Sequence, residues 1–314
     1  MRVLVTGGGG FVGPAVCEAL AARGHQPVAA LRRPVPGFRF EIVPSPDLGP
    51  EADWSTALAG CEAVIHLAGR AHVMKDAEPD PLAVFRRVNT EGTLRLARQA
   101  AQLGVRRLIF VSSIKVNGEA TPPDRPFTAD DAPAPLDPYG ISKAEAEAGL
   151  ADAGLDTVVV RPPLVHGPGA KGNLATLMAV LRRGIPLPLG AIDNRRSLVG
   201  VANLGDALAF LADHPGAAGR TFLIRDGDDV STPQLLRLLG VLLGRPARLF
   251  SVPVPLLRLA GMLAARRAAV ARLTGSLVVE DEPLRRLGWT PPHSLADGLA
   301  AMVRGCHDLG DGGR

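Results

Sequence analysis

The chain has 314 residues, 46% of them hydrophobic and 21% charged, which is enough to bury a full core and too apolar for an intrinsically disordered protein. Its 35 Lys and Arg face 31 Asp and Glu, a net charge of +4. No basic run is interleaved with aromatics, which make up only 4% of residues, so the composition argues against a nucleic-acid surface and fits a site for phosphorylated small molecules.

Along the chain, Val3–Thr6 reads as a buried strand running straight into a glycine motif, and no secretory signal fits there. Cys17, Cys61 and Cys306 are few and widely spaced, so they form neither a disulfide framework nor a metal site. A cytoplasmic location is expected. Helical patterns follow over Pro14–Arg23, Pro81–Leu103 and Tyr139–Ala153, alternating with strand-like runs at Ala63–Leu67, Leu108–Ser112 and Thr157–Val160. Such alternation predicts an α/β fold, a doubly wound parallel Rossmann sheet. After His166, Pro- and Gly-rich connections flank shorter elements, among them a strand-like Arg220–Arg225 and a helix over Pro233–Leu243. The expected organisation is a dinucleotide-binding domain over 1–165, with later returns near 198–225, and a smaller substrate lobe over 166–314. The apolar stretch Val252–Val279 is broken by Arg258, Arg266, Arg267 and Arg272, so no stable membrane insertion is expected. A helix packed on its own domain is preferred there over an amphipathic face on a membrane. The glycine-rich tail from Gly305 is expected to fray.

Thr6-Gly7-Gly8-Gly9-Gly10-Phe11-Val12-Gly13 joins the first strand to the first helix. A dinucleotide pyrophosphate needs a tight turn, a bare backbone to approach and helix N–H groups aimed at it, and Gly7, Gly10 and Gly13 supply those positions, with Phe11 and Val12 between them. The second strand ends near Leu31 with no carboxylate for a ribose hydroxyl. Arg32 and Arg33 stand there instead and suit a 2′-phosphate, so NADP(H) is favoured over NAD(H). Asp47 and Leu48 are candidate adenine contacts.

Tyr139 is the chain's single tyrosine, and Lys143 lies four residues on, one helical turn away on the same face. A neighbouring ammonium is expected to lower the phenol's pKa and let Tyr139 exchange a proton while a hydride moves. Ser112 and Ser113 end a central strand, where open α/β sheets bind ligands, and Ser113 is the expected third member.

At these residues the chain resembles the extended short-chain dehydrogenases/reductases of the nucleotide-sugar epimerase and dehydratase group, over almost its whole length. Thr6–Gly13 is similar to the group's cofactor motif. His66-Leu67-Ala68-Gly69 resembles its strand-four motif, which places Leu67 and Ala68 at the cofactor. Asn89-Thr90-Glu91-Gly92-Thr93 resembles its helix motif, in which Asn89 is a structural member of the active-site network. Ser113, Tyr139 and Lys143 fall on its catalytic triad, and the resemblance gives Lys143 the nicotinamide ribose to hold. Asn173-Leu174 and Arg196-Ser197-Leu198-Val199 resemble segments that hold the diphosphate and base of UDP-sugars. Where the group's sugar 4,6-dehydratases carry an acidic pair after the active-site hydroxyl residue, this chain has Ile114 and Lys115, so dehydration is not expected. Asn117 and His166 replace two common tyrosines.

The resemblance implies hydride chemistry at C4 of a nucleotide sugar, as a C4 epimerase or a 4-keto reductase, with a UDP-hexose or UDP-N-acetylhexosamine as partner and a homodimer compatible with the group. The reading from another class is a non-catalytic NADP(H)-binding sensor or scaffold, whose signature would be a lost tyrosine or lysine.

Overall fold

The computed structural model describes residues 1–71, 79–122, 124–170 and 172–308, with side chains as far as 305. The first half comprises β1 (Arg2–Thr6), α1 (Gly13–Ala22), β2 (Gln26–Leu31), β3 (Glu41–Pro44), a short α2 (Ser55–Leu58) and β4 (Ala63–His66). It continues through α3 (Pro81–Phe85), a π-helical turn over Arg86–Glu91, α4 (Gly92–Gln102), β5 (Arg107–Val111), α5 (Pro138–Leu150) and β6 (Asp156–Arg161). The second half holds β7 (Leu164–His166), α6 (Asn173–Arg182), β8 (Leu198–Gly200), α7 (Val201–Leu211) and β9 (Thr221–Leu223). It ends with α8 (Thr232–Leu242), α9 (Val254–Leu263), α10 (Arg267–Thr274), α11 (Glu282–Arg286) and α12 (Leu295–Asp308).

Seven strands form one parallel sheet in the order β3-β2-β1-β4-β5-β6-β9, and β7 pairs with β8 in a separate parallel ribbon. Central strands are apolar on both faces because helices cover both, as a parallel sheet requires. Val3 and Val5 belong to the core with Val16 and Leu20 of α1 and Leu204 and Leu208 of α7. Leu4, Val28 and Ala30 belong to the opposite one, with Trp54 and Leu96. α1 and α7 approach closely because Gly205 carries no side chain; a Cβ there would lie 2.8 Å from the Ala15 carbonyl. From β1 the chain winds outward to β3, then returns to β4 on the other side of β1. That reversal opens a crevice at the carboxyl ends of β1 and β4, the place where such sheets take ligands.

A third core gathers Leu174, Met178 and Leu181 of α6 with Leu236 and Leu239 of α8 and Leu299 and Met302 of α12. The C-terminal stretch does not stay with it. Leu284 and Trp289 pack into the α1/α7 core, and the Trp289 indole N–H donates to Asp206 at 2.9 Å.

Three details depart from the sequence expectations. The helix over Pro81–Leu103 is interrupted by the π-helical turn. The strands β3, β7 and β8 were not anticipated; β3 is an exposed edge strand held partly by an Arg2–Glu41 ion pair. Gly305 lies within α12 rather than in a frayed tail, against Pro168, which a Cβ would meet at 2.8 Å. The rest of the tail, 309–314, is outside the described residues.

Candidate active site

The glycine turn is built to receive a flat, charged group. Gly7 adopts φ +68°, in the left-handed region, and a Cβ there would lie 3.0 Å from the Ala68 amide. Gly13 has no room at all, since a Cβ would fall 2.2 Å from the Gly8 carbonyl. The turn closes through Gly10 N–H to Gly7 O at 2.8 Å, leaving Gly9, Gly10 and Phe11 exposed and Val12 half-buried. No side chain caps α1, so its first-turn N–H groups remain for a diphosphate. Leu67 and Ala68 lie directly against this turn, the Ala68 amide donating to Thr6 Oγ1 at 3.2 Å. These features fit a dinucleotide.

Arg32 and Arg33 are exposed just beyond β2, and neither has an ion-pair partner among the described residues. Asp47 is also exposed. Leu48 is half-buried against the second core, and its Cδ2 would lie 3.1 Å from a Cβ on Gly92.

Beneath the turn, His66 is fully buried between Thr6 Oγ1 (2.7 Å from Nδ1) and Thr93 Oγ1 (3.0 Å from Nε2), stacked on Phe110. Burial first, and the Lys143 charge second, push its pKa down to about 3. A histidine neutral when folded but titrating near 6.5 when unfolded contributes stability that is complete above 6.5 and is lost as pH falls toward 3. The slope is at most about 1.4 kcal/mol per pH unit. In urea unfolding at pH 7 and pH 5, the wild type should lose about 2 kcal/mol more than His66→Gln, which lacks the titration. Parallel losses in the two proteins would show that His66 is not the sensitive group.

The π-helical turn carries Asn89 and Thr90 to α5. Asn89 Oδ1 accepts from the Arg70 amide (2.8 Å), and its Nδ2 donates to Arg70 O (3.0 Å) and Ser142 Oγ (3.1 Å). Thr90 Oγ1 donates to Ser142 O at 2.9 Å. Ser142, three residues after Tyr139 and one before Lys143, is thereby pinned from two neighbouring residues. Asp137 caps α5 by accepting from the Gly140 amide at 2.7 Å and pairs with Lys115 through its other oxygen. Lys115, where a dehydratase carboxylate would stand, is thus committed to holding the start of this helix.

Tyr139 is half-buried, its ring edge-on to Phe85 at 6.1 Å, and the Ser113 hydroxyl hydrogen-bonds its phenol oxygen. Ser113 follows β5 in an extended conformation, and its Oγ also accepts from the Lys115 amide. Burial pushes the phenol up to about 12, against the lowering influence of Ser113, with the Asp137 charge adding a smaller rise. This corrects the expectation that Lys143 lowers it. Lys143 is 3% exposed, its Nζ donates to Val111 O at 3.0 Å, and it sits 4.4 Å over the Phe110 ring. Burial brings its own pKa down to about 8. Helical spacing places the two residues on one face, but the carbonyl at the end of β5 holds the ammonium.

The sequence-predicted substrate residues lie around the third core. Asn173 is exposed at the start of α6, which has no side-chain cap. Leu174 is 2% exposed inside that core, so its side chain is no substrate contact and only its first-turn N–H is available. Arg196 donates through Nη1 to Arg272 O (2.7 Å) and Gly275 O (3.2 Å). Its pKa is pushed down by burial and then by the positive charge of Arg272. Neighbouring arginines are neutralised: Arg195 and Arg225 share Asp229, and Arg225 and Arg285 share Asp281. Among the described residues no carboxylate pairs with Arg196 or Arg272. Arg272, which sequence reasoning treated only as a break in an apolar stretch, is the functional candidate it missed.

A model of the NAD dependent epimerase/dehydratase family matches residues 3–224. The chain belongs to this family. This epimerase-family enzyme is 43% identical over 307 residues to a UDP-glucose 4-epimerase of Vibrio cholerae, covering 95% of this chain and 93% of that protein. It is 29% identical over 318 residues to the GDP-6-deoxy-D-mannose reductase of Pseudomonas aeruginosa, covering 96% of each. Among solved structures, MoeE5 in complex with UDP-glucose and NAD superposes with a TM-score of 0.75 at 25% identity, covering 98% of this chain and 99% of that one. The enzyme therefore acts in the chemistry of nucleotide-sugar epimerases and reductases. With Tyr139 and Lys143 both in place, the sensor or scaffold reading loses its ground.

Proposed function

We propose that this enzyme interconverts the C4 epimers of a UDP-hexose or UDP-N-acetylhexosamine with NAD as its resident cofactor. The observation that carries the reading is the Ser113–Tyr139 contact at the carboxyl end of β5, in a chain 43% identical to a UDP-glucose 4-epimerase. An NAD whose diphosphate is received at the glycine turn would supply hydride acceptance and return at C4 through its nicotinamide. Ser113 orients O4 and steadies its developing charge. Tyr139 takes the O4 proton on oxidation and gives it back on reduction. A phenol with a pKa of about 12 is ionised to only about one part in 10⁵ at pH 7, so it is ready to give its proton and poorly disposed to take one. The proton-taking direction calls for Lys143 to leave the Val111 carbonyl and share the tyrosine's charge. Lys143 also holds the nicotinamide ribose, and Arg196, Arg272 and the start of α6 hold the diphosphate.

One observation favours a second reading, an NADPH-dependent 4-keto reductase: Arg32 and Arg33 stand exposed beyond β2, where an NAD enzyme places a carboxylate. The deciding experiment mixes enzyme with UDP-glucose or UDP-N-acetylglucosamine and no added cofactor, and looks for the C4 epimer by NMR. A parallel sample holds a UDP-4-keto-6-deoxy-hexosamine with NADPH, followed at the nicotinamide absorbance. Epimer in the first sample is expected; NADPH consumption in the second alone makes the enzyme a reductase.

A further inference from the structure

We propose that the exposed face of α9, with the arginines that surround it in sequence, docks this lobe on an anionic lipid surface. The helix buries only Leu257 and Gly261. Leu256, Leu259, Met262 and Leu263 are 56%, 53%, 57% and 83% exposed. Leu256, Leu259, Ala260 and Leu263 follow the i, i+3, i+4, i+7 spacing that gathers side chains into one stripe, and this stripe faces away from the buried pair. A single exposed leucine needs no explanation, but a continuous aliphatic stripe on one helix does. Phe250, half-exposed four residues before the helix, extends the apolar character. The segment was expected to pack on its own domain; it does so along one side only.

The charge around this stripe selects its partner. From Ser231 to Val279 the chain carries seven arginines (237, 245, 248, 258, 266, 267 and 272) and not one acidic residue. With +7 in that segment and +4 on the whole chain, the remainder sums to −3. None of these seven has an ion-pair partner among the described residues, and no carboxylate within the segment offsets them, whereas Arg86 and Arg161, for example, pair with Glu145 and Glu147. Arg266 and Arg267 are exposed just past the end of the helix, and Arg258 is exposed on the helix itself, about 100° round from Leu259. An apolar helix face flanked by unpaired arginines has the composition of a helix lying in a membrane interface. A second copy of the chain is a poor occupant, because a two-fold contact would press this one-sign face against itself. The mode is peripheral, since no helix among the described residues is long and apolar enough to cross a membrane. α10 reaches close to α9 over Gly261, where a Cβ would lie 2.5 Å from Val270, so docking also fixes the helix that carries Arg272 near the bilayer.

The test is co-sedimentation of the full chain with vesicles of phosphatidylcholine alone or with one-third phosphatidylglycerol. Most of the protein should pellet with the anionic vesicles and little with the neutral ones, and roughly 0.5 M salt should weaken the binding. Leu259→Glu/Leu263→Glu should cut the bound fraction about fivefold or more with the melting temperature unchanged. Arg258→Gln/Arg267→Gln, which leaves the stripe intact, should weaken binding and flatten its salt dependence. No pelleting with anionic vesicles at low salt would overturn the proposal. So would light scattering that shows a dimer broken by Leu259→Glu/Leu263→Glu, since the face would then be covered by a second copy.

Discussion

Replacing Tyr139 with Phe should lower turnover by roughly two to four orders of magnitude while leaving cofactor affinity and melting temperature close to those of the wild type. The substitution removes one oxygen. Everything that positions the ring survives: the edge contact with Phe85, the Asp137 cap on α5, and the Asn89 and Thr90 hydrogen bonds to Ser142. What disappears is the group proposed to move the proton at O4, and with it the partner of Ser113. Steady-state turnover on the UDP-sugar, with calorimetric titration of NAD, separates the two effects. A variant that kept more than about a tenth of wild-type activity would show that another group carries the proton.

The second large effect is expected at the arginine pair. Charge-assisted hydrogen bonds contribute about 1.5–3 kcal/mol each, so Arg272→Ala should lower kcat/KM about ten- to hundredfold, chiefly through KM. Arg196→Ala should do at least as much, but it also removes the bonds to the Arg272 and Gly275 carbonyls. Arg272→Ala is therefore the cleaner measurement, as no hydrogen bond of its side chain is seen among the described residues. Inhibition by UDP should weaken in parallel, and NAD affinity should not change. A KM within about twofold of wild type for both variants would place the diphosphate elsewhere.

Much of this site could be read from the chain because its logic is local. The glycine turn joins one strand to one helix, and Tyr139 and Lys143 lie a single turn apart. Parallel strands buried on both faces announce themselves as β-branched runs. What escaped was set by partners distant in sequence. Lys143 is held by a carbonyl 32 residues earlier, so its spacing from Tyr139 does not reveal that burial, not the ammonium, governs the phenol. Arg272 meets Arg196 across 76 residues, and nothing in its own neighbourhood marks it. Leu174 matches a substrate motif by sequence, but it is a core leucine whose contribution is limited to its backbone. The exposure of α9 escaped for the same reason, because a hydrophobic stripe looks alike whether it faces a core or a lipid headgroup.

The π-helical turn over Arg86–Glu91 amounts to one residue more than an α-helix needs over that length, since each N–H there reaches back five positions instead of four. It works as a vernier between two rulers. α3 and α4 each keep ordinary helical pitch, so each can seat its own apolar face, but the offset between them brings the adjacent Asn89 and Thr90 to bear on one residue of α5. The enzyme thus accepts poorer helix geometry over six residues so that a two-point grip falls between its tyrosine and its lysine. For engineering, this stretch is the wrong place to restore helical regularity: a chain idealised there would gain hydrogen-bond geometry and lose its hydrogen bonds to Ser142 of α5.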